Sequence, residues 1–174
     1  VEKTLLIRQA VEQGDFPNFG GFYMEGPYLN PDFGSSDKDG ITGNLWSGKI
    51  LKEDYQPLID ACGEYVKVWC VAPERENIIS FVSDAKKANN NVIFAVAHSI
   101  AEPEQIEALI PYGLCIGTHH TNATGTLQKY PECRTPCVDE TVLYNSSIYA
   151  EIISDKYGVH VDPYMQRLTK NIKG

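Results

Sequence analysis

Metal-binding side chains follow four apolar runs of the sequence, at the point where each run ends. Glu25 follows GGFYM, Glu74 follows WCVAP, His98 follows VIFAVA, and His119 with His120 follow CIGT. One carboxylate and two neutral imidazoles form a His2Glu set, which holds a divalent metal and leaves one coordination position open for water. A metal held in this way polarises a carbonyl group or acidifies a bound water. If the ends of these apolar runs converge in the fold, the pattern predicts metal-assisted chemistry.

Each of these side chains also has a purely structural interpretation. A lone glutamate after a strand is usually a solvated turn residue, and a lone histidine in an apolar run is usually a satisfied core residue. However, three of the four histidines in the chain lie at the ends of apolar runs. Core histidines have no reason to gather there, so the combination favours a shared site.

Strand-like runs alternate with helical segments along the chain. The predicted strands are 20–24, 66–73, 91–99, 114–120 and 147–155, and the predicted helices are 4–14, 52–64, 76–90, 103–113 and 162–174. The strands are apolar throughout, which indicates burial on both faces in a parallel sheet covered by helices. Residues 30–50 and 121–139 are rich in polar and turn-forming residues, and we predict that they form loops on the active-site face.

Both a doubly wound open sheet and a (β/α)8 TIM barrel fit this alternation of strands and helices. The chain contains no GxGxxG or P-loop sequence that would favour a nucleotide-binding open sheet. Parallel barrels place their chemistry at the carboxyl ends of the strands, where side chains from different strands converge. The polar run ends therefore favour an α/β fold of the barrel type.

The charge of the chain limits which partners are expected, and its cysteine content indicates the cellular compartment. The formal charge of −8 and the pI of about 4.9 argue against nucleic acid or an anionic membrane as partner. No apolar run approaches the ~20 residues that span a bilayer. The five cysteines are scattered, which indicates a reducing, cytoplasmic setting. Cys133 and Cys137 could in principle pair or bind metal, since three residues separate them.

Five motifs in order resemble the N-acetylglucosamine-6-phosphate deacetylase family of the amidohydrolase superfamily. They are EGPYLNP, VAPE, AHS, THHTNA and IISDKYGVHVDP, and the resemblance runs from about residue 20 to the end of the chain but is weak over 30–50. It implies that residues 1–174 form a single partial catalytic barrel domain with about five of the eight strands, the third to the seventh. The implied enzyme is a metal-dependent hydrolase that removes acetyl from N-acetylglucosamine-6-phosphate in amino-sugar catabolism.

The resemblance also implies the roles of individual residues. Glu25, His98 and His119 would bind the metal, with zinc as the first expectation and iron or another divalent ion as alternatives. The implied substrate contacts are Asn122, Ala123, a phosphate-binding Arg134 that is often donated to the neighbouring subunit of a homodimer, and a sugar-side His160. The guanidinium of arginine suits phosphate because it presents a rigid fork of donors.

Several positions depart from the family pattern. Tyr23 and Ala97 stand where the family usually has histidine and glycine, and the loop after Glu25 contains no histidine. His120 stands where the family has an apolar residue, and we expect it to have a structural role because adjacent strand residues face opposite sides. The family's catalytic aspartate lies on the eighth strand, which we expect just after Gly174, so the chain alone is expected to be inactive.

Two other interpretations stay open at this point. The first is another amidohydrolase that acts on a cyclic amide or on a different N-acyl substrate. The second is a non-catalytic remnant of a barrel that binds sugar phosphate or a partner chain. The departure at Tyr23 and the absence of the catalytic acid from the chain motivate the second interpretation.

Overall fold

A computed structural model describes residues 1–33, 49–125, 127–130 and 132–174. The strands are β1 (Phe22–Met24), β2 (Val66–Val71), β3 (Ile93–Val96), β4 (Leu114–Gly117), β5 (Leu127–Tyr130), β6 (Cys133–Thr135) and β7 (Tyr149–Ala150). The helices are α1 (Glu2–Glu12), α2 (Lys52–Cys62), α3 (Ile78–Ala88), α4 (Pro103–Glu107), α5 (Val138–Tyr144) and α6 (Pro163–Lys173). Single 3₁₀ turns are formed by Gly63–Tyr65 and Ile110–Tyr112.

Five strands form one parallel sheet in the order β1-β2-β3-β4-β7. Helices connect consecutive strands of this sheet, as parallel pairing requires. The register places Val71 beside Val96 and Gly117 beside Ala150, so the carboxyl ends of the strands meet at one edge of the sheet. The prediction of an α/β fold with a parallel sheet is confirmed.

The main core lies between this sheet and helices α2 to α5. Its largest buried members are aromatic, and the ring of Phe81 contacts those of Trp69 and Tyr55 edge-to-face at centroid distances of 5.3 and 5.4 Å. The opposite face of the sheet carries a second, smaller cluster made of Val68, Cys70, Ala95 and Ala97. Because these side chains are small, that face leaves room for longer side chains that arise from the sheet edges.

A contact between its two edges shows that the sheet curves toward the face that carries the small cluster, which we call the concave face. Tyr23 belongs to β1, which is one edge of the sheet, and Glu151 directly follows β7, which is the other edge. The Tyr23 hydroxyl nevertheless lies 2.9 Å from Glu151 Oε2. The two edges of the sheet therefore make contact across the concave face.

Some predicted elements differ from the structure. The prediction of an irregular region over 121–139 was wrong, because it contains the antiparallel pair β5–β6 and the start of α5. The predicted strand 147–155 is reduced to β7, and the predicted helix 103–113 is interrupted between α4 and the turn at Ile110–Tyr112. Pro111 explains the interruption, since it lacks the backbone N–H that a continuing helix needs. Most of the predicted loop 30–50 lies outside the described residues.

All five cysteines carry free thiols, so Cys133 and Cys137 do not form a disulfide. Cys137 is buried at the start of α5, and Cys133 is exposed on β6. Within the described ranges, no helix is both long and apolar enough to cross a bilayer.

Candidate metal centre

Three of the residues that the sequence singles out converge at the carboxyl edge of the sheet. Glu25 directly follows β1, and His98 and His119 each lie two residues beyond β3 and β4. Glu25 Oε1 lies 2.6 Å from Nε2 of His98 and 3.1 Å from Nε2 of His119. The two Nε2 atoms are 3.2 Å apart. In the described part of the chain, this trio is the group of three His, Cys, Asp or Glu side chains close enough to share one ion.

Backbone carbonyls set the orientation of both imidazoles. Nδ1 of His98 lies 3.1 Å from the carbonyl oxygen of Phe33, and Nδ1 of His119 lies 3.1 Å from that of Asn122. A carbonyl oxygen only accepts, so each Nδ1 carries the proton and donates it. In the neutral rings, the lone pairs are therefore on the Nε2 atoms that face Glu25. Metal-binding histidines are held in the same way, with the other ring nitrogen donating to an outer acceptor.

The donor set and its spacing fit a divalent ion. Two imidazole nitrogens and a carboxylate oxygen are the ligands of catalytic zinc sites. Their separations of 2.6 to 3.2 Å allow one ion to lie about 2.0–2.1 Å from all three atoms. Without an ion, three hydrogen-bond acceptors would face one another, an arrangement that requires a shared proton or a cation.

The backbone at both histidines adopts an uncommon conformation. The φ angles are 43° at His98 and 34° at His119, in the left-handed region that residues other than glycine rarely occupy. Hydrogen bonds hold each turn: the amide of Asn30 donates to the His98 carbonyl at 2.8 Å, and the amide of Asn122 donates to the His119 carbonyl at 2.9 Å. Such strain concentrates at functional sites, where the surrounding structure must maintain it.

Glu74, the other acid at a run end, supports the site from outside the trio. Its carboxylate accepts hydrogen bonds from Asn30 Nδ2 at 2.9 Å, Ser99 Oγ at 2.7 Å and the Ile100 amide at 2.9 Å. These partners surround His98: Ser99 follows it directly in the chain, and the Asn30 amide donates to the His98 carbonyl. Glu74 therefore anchors the chain around a candidate ligand.

The two imidazoles favour the ionised form of Glu25. Partial burial works to raise the pKa of the Glu25 carboxyl, but the neighbouring His98 and His119 rings outweigh it and hold that pKa below its usual range. The carboxyl side chain is 55% exposed, whereas the two imidazoles are only 10% and 15% exposed. The site is open on the side of the carboxylate.

His120 points away from the trio, as expected for the neighbour of His119. The residue is 1% exposed, and both ring nitrogens are buried without a hydrogen-bond partner. Its Nδ1 lies 3.7 Å from Asp139 Oδ1. Burial lowers the pKa of His120 although the nearby Asp139 charge works against it, so the ring is neutral near pH 7.

The residues predicted to bind substrate occupy two places. Asn122 Nδ2 donates to the His160 carbonyl at 3.0 Å, which brings these two residues together, and Ala123 lies in the same turn with a φ of 54°. The His160 side chain is 57% exposed. Arg134 lies on β6 and forms an ion pair with Glu140 of α5 at 2.5 Å.

Two groups of contacts at the site were not predicted from the sequence. The first joins Tyr23, Thr118 and Glu151 across the concave face. In the second, Asp139 Oδ1 accepts from the Thr124 hydroxyl at 3.0 Å and from the Thr121 amide at 3.3 Å. The signal for Glu151 in the sequence is that an acidic residue lies inside the predicted apolar strand 147–155.

The structure thus places the donor set of a catalytic zinc site at the carboxyl edge of a parallel α/β sheet. Among solved structures, the chain is similar to N-acetyl-D-glucosamine-6-phosphate deacetylase from Mycobacterium smegmatis, with a TM-score of 0.72, 25% identity, and coverage of 99% of this chain and 46% of that one. A mutant of the M. smegmatis enzyme in complex with N-acetyl-D-glucosamine-6-phosphate gives a TM-score of 0.73 and 24% identity, with 99% and 42% covered.

The N-acetylglucosamine-6-phosphate deacetylase from Pasteurella multocida gives a TM-score of 0.72 and 27% identity over 98% of this chain and 41% of that one. The chain thus spans less than half the length of these structures. No protein-family model and no curated protein matches the sequence.

Proposed function

We propose that the chain carries the metal site of an amide hydrolase that removes acetyl from an N-acetylated amino-sugar phosphate. The observation that carries the proposal is the trio of Glu25, His98 and His119, whose imidazoles turn Nε2 toward one carboxylate. The similarity to three structures of N-acetylglucosamine-6-phosphate deacetylases supports the same reaction class. We further propose that the sheet is the third to seventh strands of a TIM barrel, which the contact between its edges supports.

Different residues of the chain would make separate contributions to this site. Glu25, His98 and His119 would hold a zinc or similar ion, which when bound would supply a Lewis acid for the acetamide carbonyl and a more acidic water. The carbonyls of Phe33 and Asn122 keep both imidazoles in the Nδ1-protonated form, so Nε2 is free to bind. Glu25 leaves one side of the site open to solvent, where substrate can approach. We assign the general base to no described residue.

Substrate contacts are proposed for the segment beyond the second histidine. Asn122 and Ala123 follow His119 in one turn, and the His160 backbone is bonded to that turn, so a sugar held here would lie beside the trio. Arg134 is 66% exposed and would exchange its ion pair with Glu140 for a phosphate, in the same subunit or across a homodimer. The substrate complex of the M. smegmatis enzyme supports a sugar phosphate as ligand, and five free thiols support a cytoplasmic setting.

A second candidate is an amidohydrolase for a different N-acyl or cyclic amide substrate. The observation that favours it is Tyr23, whose phenol occupies the concave face where the family has histidine and bonds Glu151. Such a change beside the trio would alter the shape of the site while keeping its metal chemistry. Acetate release from N-acetylglucosamine-6-phosphate, compared with release from other N-acyl and cyclic amides, separates the two candidates.

Zinc affinity tests the proposal directly. We expect the unaltered protein to bind one zinc ion, and Glu25→Gln or His98→Ala to weaken binding by more than the ~10–100-fold that loss of an outer hydrogen-bond partner costs. Glu53→Gln on α2 and His120→Leu serve as carboxylate and imidazole controls, since Glu53 is exposed and His120 faces away from the trio. No zinc binding by the unaltered protein, or equal binding by Glu25→Gln, would overturn the proposal.

A further inference from the structure

We infer that Glu151 is a positioning residue for the metal trio, because its carboxylate ties the end of β1 to the end of β4 across the concave face. The inference rests on the proposed function, since it concerns the same trio. It assigns a role to Tyr23, the residue that most clearly departs from the family pattern, and to an acid that the sequence analysis did not single out.

Three side-chain oxygen atoms, from Tyr23, Thr118 and Glu151, lie within hydrogen-bond distance of one another. The Tyr23 hydroxyl lies 2.9 Å from Glu151 Oε2 and 2.8 Å from Thr118 Oγ1, and the Thr118 hydroxyl also donates to Glu151 Oε2. One carboxylate oxygen thus accepts from hydroxyl groups that belong to two different strand ends. Hydrogen bonds to an ionised acceptor are about twice as strong as those between neutral groups.

Both hydroxyl residues lie next to candidate ligands along the chain. Tyr23 lies on β1, and Glu25 directly follows that strand, two positions further along the chain. Thr118 directly precedes His119. Because β1 is an edge of the sheet and pairs with β2 alone among the described strands, its end lacks a second neighbouring strand to fix it. A tie from Tyr23 to Thr118 and Glu151 limits how far Glu25 can move from His119.

The backbone of Glu151 makes the tie rigid on its other side. Its amide donates to the Gly117 carbonyl at 2.9 Å, and its carbonyl accepts from the His120 amide at 2.7 Å. These two bonds lie on either side of Thr118 and His119 in the sequence. The backbone of Glu151 therefore binds the segment that contains His119, and its side chain binds Tyr23 of β1. A side-chain substitution at Glu151 leaves the backbone bonds in place and removes the acceptor that the Tyr23 and Thr118 hydroxyls share.

Glu151 acts through other residues and is not itself a ligand. In the part of the chain that the structure describes, the group that can share one ion contains Glu25, His98 and His119 without Glu151. Its Oε2 is already occupied by the two hydroxyl donors. The role therefore predicts a change in the geometry and affinity of the site without the loss of a ligand.

Zinc affinity and the absorption spectrum of the cobalt(II) form test the inference in the same protein. We expect Glu151→Ala to weaken zinc binding ~10–100-fold, in the range measured for outer-shell partners, and to change the cobalt spectrum in the visible region. Glu151→Gln keeps an acceptor oxygen of the same length and should restore most of the affinity and the spectrum. Glu53→Ala removes an exposed carboxylate elsewhere and should change neither.

A double-mutant cycle separates positioning from general destabilisation. Tyr23→Phe should weaken zinc binding less than Glu151→Ala, and the double variant should be no weaker than Glu151→Ala alone, because both changes break the same tie. Unaltered zinc affinity and cobalt spectrum in Glu151→Ala, or additive effects in the cycle, would overturn the inference and leave the proposed function standing. Absence of zinc binding by the unaltered protein would overturn both.

Discussion

The Tyr23 hydroxyl lies 2.9 Å from Glu151 Oε2, although the two residues are 128 positions apart along the chain and lie at opposite edges of a five-stranded sheet. In an open twisted sheet, the edges diverge as strands are added. Here two of the three intervening strands, β2 and β3, carry small buried side chains on the concave face, including Cys70 and Ala95, so the edge residues can meet. This curvature also brings the end of β1 near the ends of β3 and β4, where the trio forms.

Zinc should stabilise the folded protein through the trio. A ligand that binds only the folded state raises the free energy of unfolding by about 2.7 kcal/mol at a concentration of 100 times its Kd. We expect thermal unfolding with and without zinc to show such an increase in the unaltered protein and its loss in His98→Ala. Equal stabilisation of both proteins would show that zinc binds at a different site.

The trio could be predicted from the sequence because its members obey a local rule. Each stands where an apolar run ends, and parallel strands bring their carboxyl ends to one edge of the sheet. The alternation of side chains along a strand implies only that His119 and His120 cannot both enter the site, and the resemblance to the deacetylase family selects His119. The structure places His119 beside Glu25 and buries His120 on the other side.

The contacts that orient and position the trio could not be predicted in this way. The Phe33 and Asn122 groups that orient the imidazoles are backbone carbonyls, which every residue type offers. The contact between Tyr23 and Glu151 depends on the curvature of the sheet, which is a collective result of packing. The hairpin β5–β6 is short and has no sustained alternation of apolar and polar residues, so its strands resemble a loop in sequence.

Asp139 should position His119 through the turn that follows it. Its Oδ1 accepts from the Thr124 hydroxyl and the Thr121 amide, and the same turn supplies the Asn122 carbonyl that orients His119. We expect Asp139→Ala to weaken zinc binding ~10-fold and to speed hydrogen exchange at the Thr121 amide. Asp139→Asn retains an acceptor oxygen and should change both less. Unchanged exchange and affinity in the alanine variant would contradict this role.

Gly117 should be required for close packing of β4 against α5. A Cβ atom at this position would lie 2.6 Å from Val142 Cγ2 and 3.0 Å from Val142 Cγ1. We expect Gly117→Ala to cost about 1–3 kcal/mol of unfolding free energy, as overpacking of a core does. Val142→Ala removes the two clashing methyl groups, so urea unfolding of the double variant should show a cost well below the sum of the single costs. Additive costs would indicate a different cause.

Asp84 should contribute stability that disappears in acid. Its carboxylate accepts hydrogen bonds from Lys52 Nζ at 2.8 Å, Lys87 Nζ at 2.8 Å and the Tyr55 hydroxyl at 2.9 Å, and this joins α2 to α3. The two ammonium groups, with Tyr55, hold the pKa of Asp84 below its usual range. A carboxyl with a lowered pKa stabilises the folded state fully above its unfolded pKa of about 3.9, and that contribution fades as pH falls toward the folded value.

The comparison of Asp84→Asn with the unaltered protein measures this contribution. At pH 7 we expect the variant to unfold with a free energy about 1 kcal/mol lower, a modest value because solvent screens the exposed lysines. Below pH 4 the difference should shrink, because the Asp84 carboxyl of the unfolded protein then takes up a proton that the folded protein does not, and this favours unfolding. Glu53→Gln on α2 lies outside this network, so its difference from the unaltered protein should not follow the same pH profile. A difference for Asp84→Asn that stays constant from pH 7 to pH 2 would show that the lysines do not stabilise the ionised carboxylate.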